Sequence, residues 1–165
     1  MESHGHHGQT RGNLRVGIIT ASDTRTASND KSGALIRQQL EAAGHTVDFH
    51  AIVPDDRERI AATLSASLTQ LDAVIVTGGT GIAPRDSTIE AVEPLLEKKL
   101  EGFGELFRML SYQEIGAAAM LSRAIAGIIG RKFVAAIPGS TAACRLAMEK
   151  LILPQIGHIV YLLSE

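Results

Sequence analysis

The 165-residue chain has no tryptophan, a single cysteine and only 4% aromatic residues. So little aromatic mass argues against an aromatic-rich β-sandwich. One cysteine, Cys144, permits neither an internal disulfide nor a thiolate metal site, which fits a reducing compartment and a free thiol facing the core. Basic charge is not in excess: 16 Lys and Arg stand against 18 Asp and Glu, a formal charge of −2. Without a basic field to follow a polyphosphate backbone, nucleic acid is not expected as the main partner. No apolar run reaches the roughly 20 residues of a spanning helix, and the polar N-terminus lacks a signal core. The expectation is therefore no membrane contact and a cytoplasmic protein.

What the chain does have is 45% apolar residues, mostly aliphatic, and 16 glycines. Its length corresponds to one domain at roughly 100–200 residues per domain. Residues 1–13 show no periodicity and read as a flexible tail; its His4, His6 and His7 are either solvated or a loose transition-metal site. The domain proper spans 14–165, with no repeat or linker.

Within it, Leu14–Thr20, Thr46–Val53 and Ala73–Thr77 read as strands, the last nearly continuous in apolar residues, as in a parallel sheet covered on both faces. Ser32–Ala43 and Asp55–Leu71 read as helices, the second with Asp55 and Glu58 at capping-box spacing. Thr88–Leu100 is expected to be helical around Pro94, which should kink or interrupt it, and Glu105–Ile115 a helix bounded by Gly102, Gly104 and Gly116. Ala124–Ile129 and Lys132–Ile137 flank Gly130-Arg131 as a hairpin. Two closing helices, Thr141–Leu151 and Gln155–Leu163, are separated at Pro154. Alternating strands and helices predict a three-layer α/β/α sandwich, mostly parallel with a local antiparallel hairpin.

Chemistry concentrates where strands give way to loops. Thr77-Gly78-Gly79-Thr80-Gly81 follows a buried strand and precedes Pro84-Arg85-Asp86 and a helix. Glycines there let the backbone approach a ligand, and free N–H groups at the next helix suit an anion. The loop lacks both the lysine of a P-loop and the spacing of a dinucleotide fingerprint, leaving a phosphate cradle or a tight turn as the two readings. Pro138-Gly139-Ser140 and Thr20-Ala21-Ser22-Asp23 also end strands. Three such loops would converge on the crevice where open α/β sheets bind ligands. Asp55 and Asp86 at helix starts are either caps or a pair able to hold Mg²⁺ together with substrate phosphates. Arg108 reads either as a phosphate fork or as a packing or subunit-interface residue, Phe107 as packing, and Arg123 as an intersubunit ion-pair partner or a solvated residue.

Val53-Pro54-Asp55-Asp56, the glycine loop with Pro84-Arg85-Asp86, Gly102-Phe103-Gly104-Glu105-Leu106-Phe107-Arg108, Leu121-Ser122-Arg123-Ala124 and Pro138-Gly139-Ser140 occur in one fixed order. In that order the sequence resembles the MoaB/MogA family of molybdenum cofactor biosynthesis proteins, from Leu14 to the C-terminus. Leu110–Gly116, before Met120–Arg123, looks more like the MoaB branch. It departs from many relatives at Ser140-Thr141-Ala142, where they carry Asn or a proline-rich stretch.

The resemblance implies binding of molybdopterin, a pterin dithiolene with a terminal phosphate, in a homotrimer or homohexamer. In adenylylating members that phosphate attacks the α-phosphorus of Mg²⁺-ATP and pyrophosphate leaves. Carried over by motif, Gly78, Gly79, Thr80 and Gly81 would cradle phosphate, with Thr20, Ser22, Asp23, Thr77 and Arg85 around them. Asp55 and Asp86 would take the catalytic-acidic or Mg²⁺-binding roles, Ser122 would lie near the molybdopterin phosphate, and Pro138, Gly139 and Ser140 would border the nucleotide. A non-catalytic molybdopterin carrier, or an oligomeric module binding a generic anion, are the alternatives.

Overall fold

A computed structural model describes residues 9–165, so His4, His6 and His7 lie outside the described residues. Six strands form one sheet: β1 (Arg15–Ala21), β2 (Thr46–Val53), β3 (Ala73–Thr77), β4 (Lys98–Lys99), β5 (Ile125–Ile129) and β6 (Lys132–Ile137), in the order β2-β1-β3-β6-β5-β4. The first four in that order run parallel, while β5 is antiparallel to both β6 and β4. Helices cover both faces, as the three-layer expectation requires.

The helices are α1 (Lys31–Ala42), α2 (Arg57–Ser67), α3 (Thr88–Val92), α4 (Glu101–Ile115), α5 (Thr141–Ala147) and α6 (Leu153–Ser164). Alternate strand residues feed two cores. Val16, Ile18, Ala73, Ile75, Phe133 and Ala135 pack with Ile36 and Leu40 of α1, Phe107 of α4, and Met148, Ile152 and Ile156 of the C-terminal helix. Ile19, Val74, Val76, Val134 and Ala136 point the other way, onto Ile60 and Leu64 of α2 and Ile89 and Val92 of α3. Both side-chain sets are apolar because neither face of the central strands sees water.

Three local expectations change. The helix expected over 88–100 is interrupted at Pro94, the second of the two outcomes expected there, with a 3₁₀ turn at Glu93–Leu95, but it does not resume: residues 98–99 become the edge strand β4. Proline cannot continue the ladder and its ring would meet the preceding turn. The helix placed at 105–115 begins at Glu101 and absorbs Gly102 and Gly104. Gly104 is needed there, since a Cβ would lie 2.9 Å from the Ala124 carbonyl oxygen. The two closing helices form one continuous helix over Thr141–Ser164, because a π turn at Met148–Ile152 widens the backbone just before Pro154. Such a turn accommodates a residue without an N–H.

That helix, with a mean hydropathy of 1.3 over 18 residues, is long and apolar enough to span a bilayer by length and composition alone. Cys144, Leu146, Ala147, Met148, Ile152, Ile156 and Val160 are instead buried in the core. Residues 9–11 lie along its far end, where the Arg11 amide donates to the Gly157 carbonyl at 3.0 Å, and the Arg11 guanidinium pairs with Asp72 at 3.0 Å. Ile75, fully buried at the centre of β3, is the sharpest probe of the packing: Ile75→Ala is expected to lower unfolding free energy by about 2–5 kcal/mol in urea titration.

Candidate functional site

Strand register sets the site. Ala21 pairs with Val53, Thr20 with Thr77, and Thr77 with Ile137, so the loops after β1, β2, β3 and β6 leave the sheet at one edge. Gly78 is where they touch. It sits at φ +93°, its amide donates to Ile137 O at 3.0 Å, and a Cβ there would collide with the Ala21 carbonyl oxygen. Gly139 lies against its other side, the position of a Cβ being 3.2 Å from Gly78 Cα. Thr77 Oγ1 donates to Pro138 O at 3.0 Å and Thr88 Oγ1 to Gly78 O at 2.7 Å.

The glycine loop is then left with its donors unused. The amides of Gly79, Thr80 and Gly81 reach no acceptor among the described residues, whereas their carbonyls are taken: Gly79 O by the Thr88 amide, Thr80 O by the Arg123 amide. Arg123 also grips Gly81 O through Nε at 2.9 Å and a terminal nitrogen at 2.7 Å, while pairing with Glu90 of α3. Of the two readings of Arg123 left open by the sequence, neither describes this clamp. Arg108 donates to the carbonyls of Ser122 and Ala124 at 3.4 and 3.1 Å, a packing role, and Phe107 is buried.

The acidic pair is resolved in an unexpected way. Asp56, not Asp55, caps α2, accepting from the Arg59 amide at 2.9 Å. The Asp55–Glu58 capping box is therefore wrong by one residue. Asp55 is released toward the glycine loop, where its Oδ1 accepts from the Ser87 amide at 3.1 Å and Ser87 Oγ at 2.9 Å, and its Oδ2 meets no donor among the described residues. A Cβ on Gly79 would come within 2.7 Å of Asp55. Asp86 is not a cap either. Its Oδ2 accepts from Ala83 N at 2.9 Å, folding the Ala83–Asp86 turn beside Gly81, where a Cβ would approach that oxygen to 2.7 Å. Ser87 occupies the α3 cap position without a side-chain bond to the helix.

Asp23 ties the site's rims together. One carboxylate oxygen accepts from the Asp55 amide at 2.9 Å and the other pairs with Arg85. Ser22 turns the same loop by accepting from the Thr24 and Arg25 amides. Ser140 caps α5, accepting from the Ala143 amide at 3.2 Å, so its expected place beside a ligand coincides with a structural duty. Ser122 makes no hydrogen bond to either acidic residue or to the glycine loop; it is joined to them through Arg123. Thr20 and Thr77 are buried beneath the loops. Sequence reasoning missed Ser87, Thr88 and the Asp30–His50 pair, in which Asp30 accepts from Thr20 Oγ1 at 2.6 Å and faces His50 Nε2 at 3.1 Å. The Asp55-Asp56 doublet was a usable signal: a helix takes one cap, which frees the other carboxylate.

The Asp55 amide, followed by the Arg85 guanidinium, holds the Asp23 carboxyl below its ordinary range, and Arg85 is correspondingly raised. A folded value below the unfolded one means that this contribution to stability is complete above the ordinary carboxylate range and is lost as pH falls through the lowered value. Carboxyl NMR titration is expected to find Asp23 depressed, with Arg85→Ala restoring only part of the shift because the Asp55 amide remains. A full return to the ordinary value in Arg85→Ala would contradict this geometry.

Comparison with known proteins agrees with this architecture. Residues 17–158 match the family model described as "Probable molybdopterin binding domain". The chain is similar to molybdenum cofactor biosynthesis protein B of Bacillus cereus, 54% identical over 159 residues covering 94% of each chain. A crystal structure of a molybdenum cofactor biosynthesis protein B superposes with a TM-score of 0.91 at 54% identity, covering 94% of this chain and 99% of that one. The tungsten cofactor synthesizing protein MoaB from Pyrococcus furiosus gives 0.81 at 41% identity, over 93% and 98% of the two chains. The chain belongs to the MoaB/MogA family of molybdenum cofactor biosynthesis proteins and falls with its MoaB branch.

Proposed function

We propose that the protein binds molybdopterin at this loop crevice and transfers an adenylyl group from ATP to the pterin's terminal phosphate. The observation that carries the reading is the run of unused amides at Gly79, Thr80 and Gly81, bracketed by Asp55 and Asp86, each with a carboxylate oxygen free of donors among the described residues. Oriented backbone N–H groups bind phosphate without a basic surface, consistent with a chain of net charge −2.

The reaction needs positioning and charge neutralisation more than a covalent nucleophile. An oxygen of the pterin phosphate forms a bond to the α-phosphorus of ATP, the bond from that phosphorus to the α–β bridging oxygen breaks, and pyrophosphate departs with the electron pair. The loop amides hold phosphate oxygens. Ser122, reached through Arg123, lies on the side assigned to the pterin phosphate, and Pro138, Gly139 and Ser140 on the nucleotide side. Arg85, now paired with Asp23, is available to an incoming phosphate that competes for it.

No group of three or more His, Cys, Asp or Glu side chains suited to a metal occurs among the described residues. Two carboxylates flanking a phosphate loop nonetheless fit Mg²⁺ that arrives with a nucleotide, since that ion commonly takes one or two carboxylates and completes its shell with phosphates and water. Asp55 and Asp86 would hold it, and it would neutralise charge on the departing pyrophosphate.

Incubation with molybdopterin and Mg²⁺-ATP is expected to yield adenylylated pterin and pyrophosphate, with Asp86→Ala losing at least a hundredfold in rate while keeping its fold by circular dichroism. Pterin binding with no turnover by the wild-type protein would instead leave a carrier.

We also read the protein as a homo-oligomer acting in the cytoplasm. Leu106, Met109, Tyr112 and Ile115 of α4, with Met120 and Leu121 just before Ser122, are exposed apolar side chains, and such concentrations mark contact surfaces. Native mass spectrometry is expected to give a trimer or hexamer that Met109→Glu weakens; a monomeric wild-type protein would contradict the oligomer.

A further inference from the structure

Between the loops after β1 and β6 lies a separate cavity of about 240 Å³, lined by Thr20, Ser22, Arg25, Asp30, Ser32 and Thr77 among others. Its size suits one portion of a ligand, since whole-ligand pockets run to roughly 300–1,000 Å³. The hydrogen-bond polarity of its wall follows from counting protons. A hydroxyl has one proton to donate and two lone pairs to offer. Thr20 donates its proton to Asp30 Oδ2 at 2.6 Å, Ser32 to Gly139 O at 2.6 Å, and Thr77 to Pro138 O at 3.0 Å. These acceptors are a carboxylate or carbonyl oxygen, so none of these bonds can run the other way; Thr77 Oγ1 also lies 3.3 Å from Cys144 Sγ, which itself reaches Pro138 O, and the one Thr77 proton is spent within that trio.

Any further hydrogen bond to those three buried hydroxyls must therefore be accepted by them. Asp30 enforces this at Thr20. Its side chain is only 3% exposed, and it is held by the Gly33 amide at 3.0 Å and faces His50 Nε2 at 3.1 Å. A Cβ on Gly33 would lie 2.6 Å from that His50 nitrogen, so Gly33 makes room for the pair. Toward solvent the polarity reverses. Ser22 Oγ accepts two amides, from Thr24 and Arg25, and lies 3.4 Å from the exposed Thr24 hydroxyl, so this hydroxyl pair keeps a proton to offer, and the exposed Arg25 adds a guanidinium.

We propose that this cavity recognises the hydrogen-bond-donating end of the ligand, an uncharged amino or hydroxyl group, and repels phosphate from its inner wall while the mouth at Ser22 and Arg25 accepts the anionic end. Thr20 is then a specificity residue, and Asp30 and His50 position its hydroxyl. This rests on the nucleotide placement proposed above, from which Gly139 is shared. It also moves Thr20 and Thr77 away from the phosphate contacts that family resemblance implied for them.

The test is isothermal titration of the wild-type protein, Thr20→Val and Thr20→Ser with AMP, purine riboside 5′-monophosphate, 2′,3′-dideoxyAMP and pyrophosphate. The two analogues separate an amino group from ribose hydroxyls as the donor. Thr20→Val is expected to weaken AMP about tenfold, because a ligand donor is left without its acceptor, while Thr20→Ser retains wild-type affinity. The analogue lacking the recognised donor should bind wild-type and Thr20→Val equally, and pyrophosphate should not distinguish any of the three proteins. Equal weakening of all four ligands by Thr20→Val, no weakening of AMP, or a loss in Thr20→Ser matching that in Thr20→Val would each overturn the proposal and leave the nucleotide reading standing. Failure of AMP to bind the wild-type protein would remove the nucleotide reading, and this proposal with it.

Discussion

The close backbone approach at Gly78 is the constraint on which the site depends. Its positive φ and the Ala21 carbonyl against its Cα admit no side chain, and Gly139 closes on it from the other side. An alanine at 78 would have to adopt a left-handed backbone and displace main-chain atoms of β1's end. Because strands β1, β3 and β6 are locked in register, the loops they emit cannot drift apart to make that room. The sheet thus delivers three chain segments to one point, and glycine lets them meet there.

From that junction the chemistry is distributed by hydrogen-bond bookkeeping. The carbonyls of the glycine loop are held by Thr88 and Arg123, while the amides of Gly79 to Gly81 have no acceptor among the described residues. Asp23 fastens the Asp55 backbone and Arg85 on the opposite rim. The proposed phosphate site and the neighbouring donor-recognising cavity share Gly78 and Gly139 as a wall but have opposite polarity, amides on one side and hydroxyl lone pairs with a buried carboxylate on the other. A ligand with a phosphate and a donor-bearing head would be oriented by that contrast alone.

Much of this was legible in the sequence. Continuous apolar strands announced a sheet covered on both faces, and glycines after Thr77 announced a loop pressed against something. Ambiguity entered where one residue type serves two purposes. An Asp-Asp pair before a helix does not say which carboxylate caps it, and the choice fell to Asp56 once tertiary contacts gave Asp55 the Ser87 hydroxyl and amide. Pro154 marked a break by local rules, but a π turn satisfied the backbone and kept one helix. His50 and Asp30 lie 20 residues apart on an edge strand and a helix cap; no local pattern joins them, and only the β1–β2 pairing does.

The central claim, that the Gly79–Gly81 amides receive the ligand's phosphate, is tested most directly by amide-resolved NMR during titration with molybdopterin and Mg²⁺-ATP. The account predicts the largest ¹H and ¹⁵N shifts at Gly79, Thr80 and Gly81. Unchanged resonances at these three amides, with the shifts centred elsewhere, would contradict it.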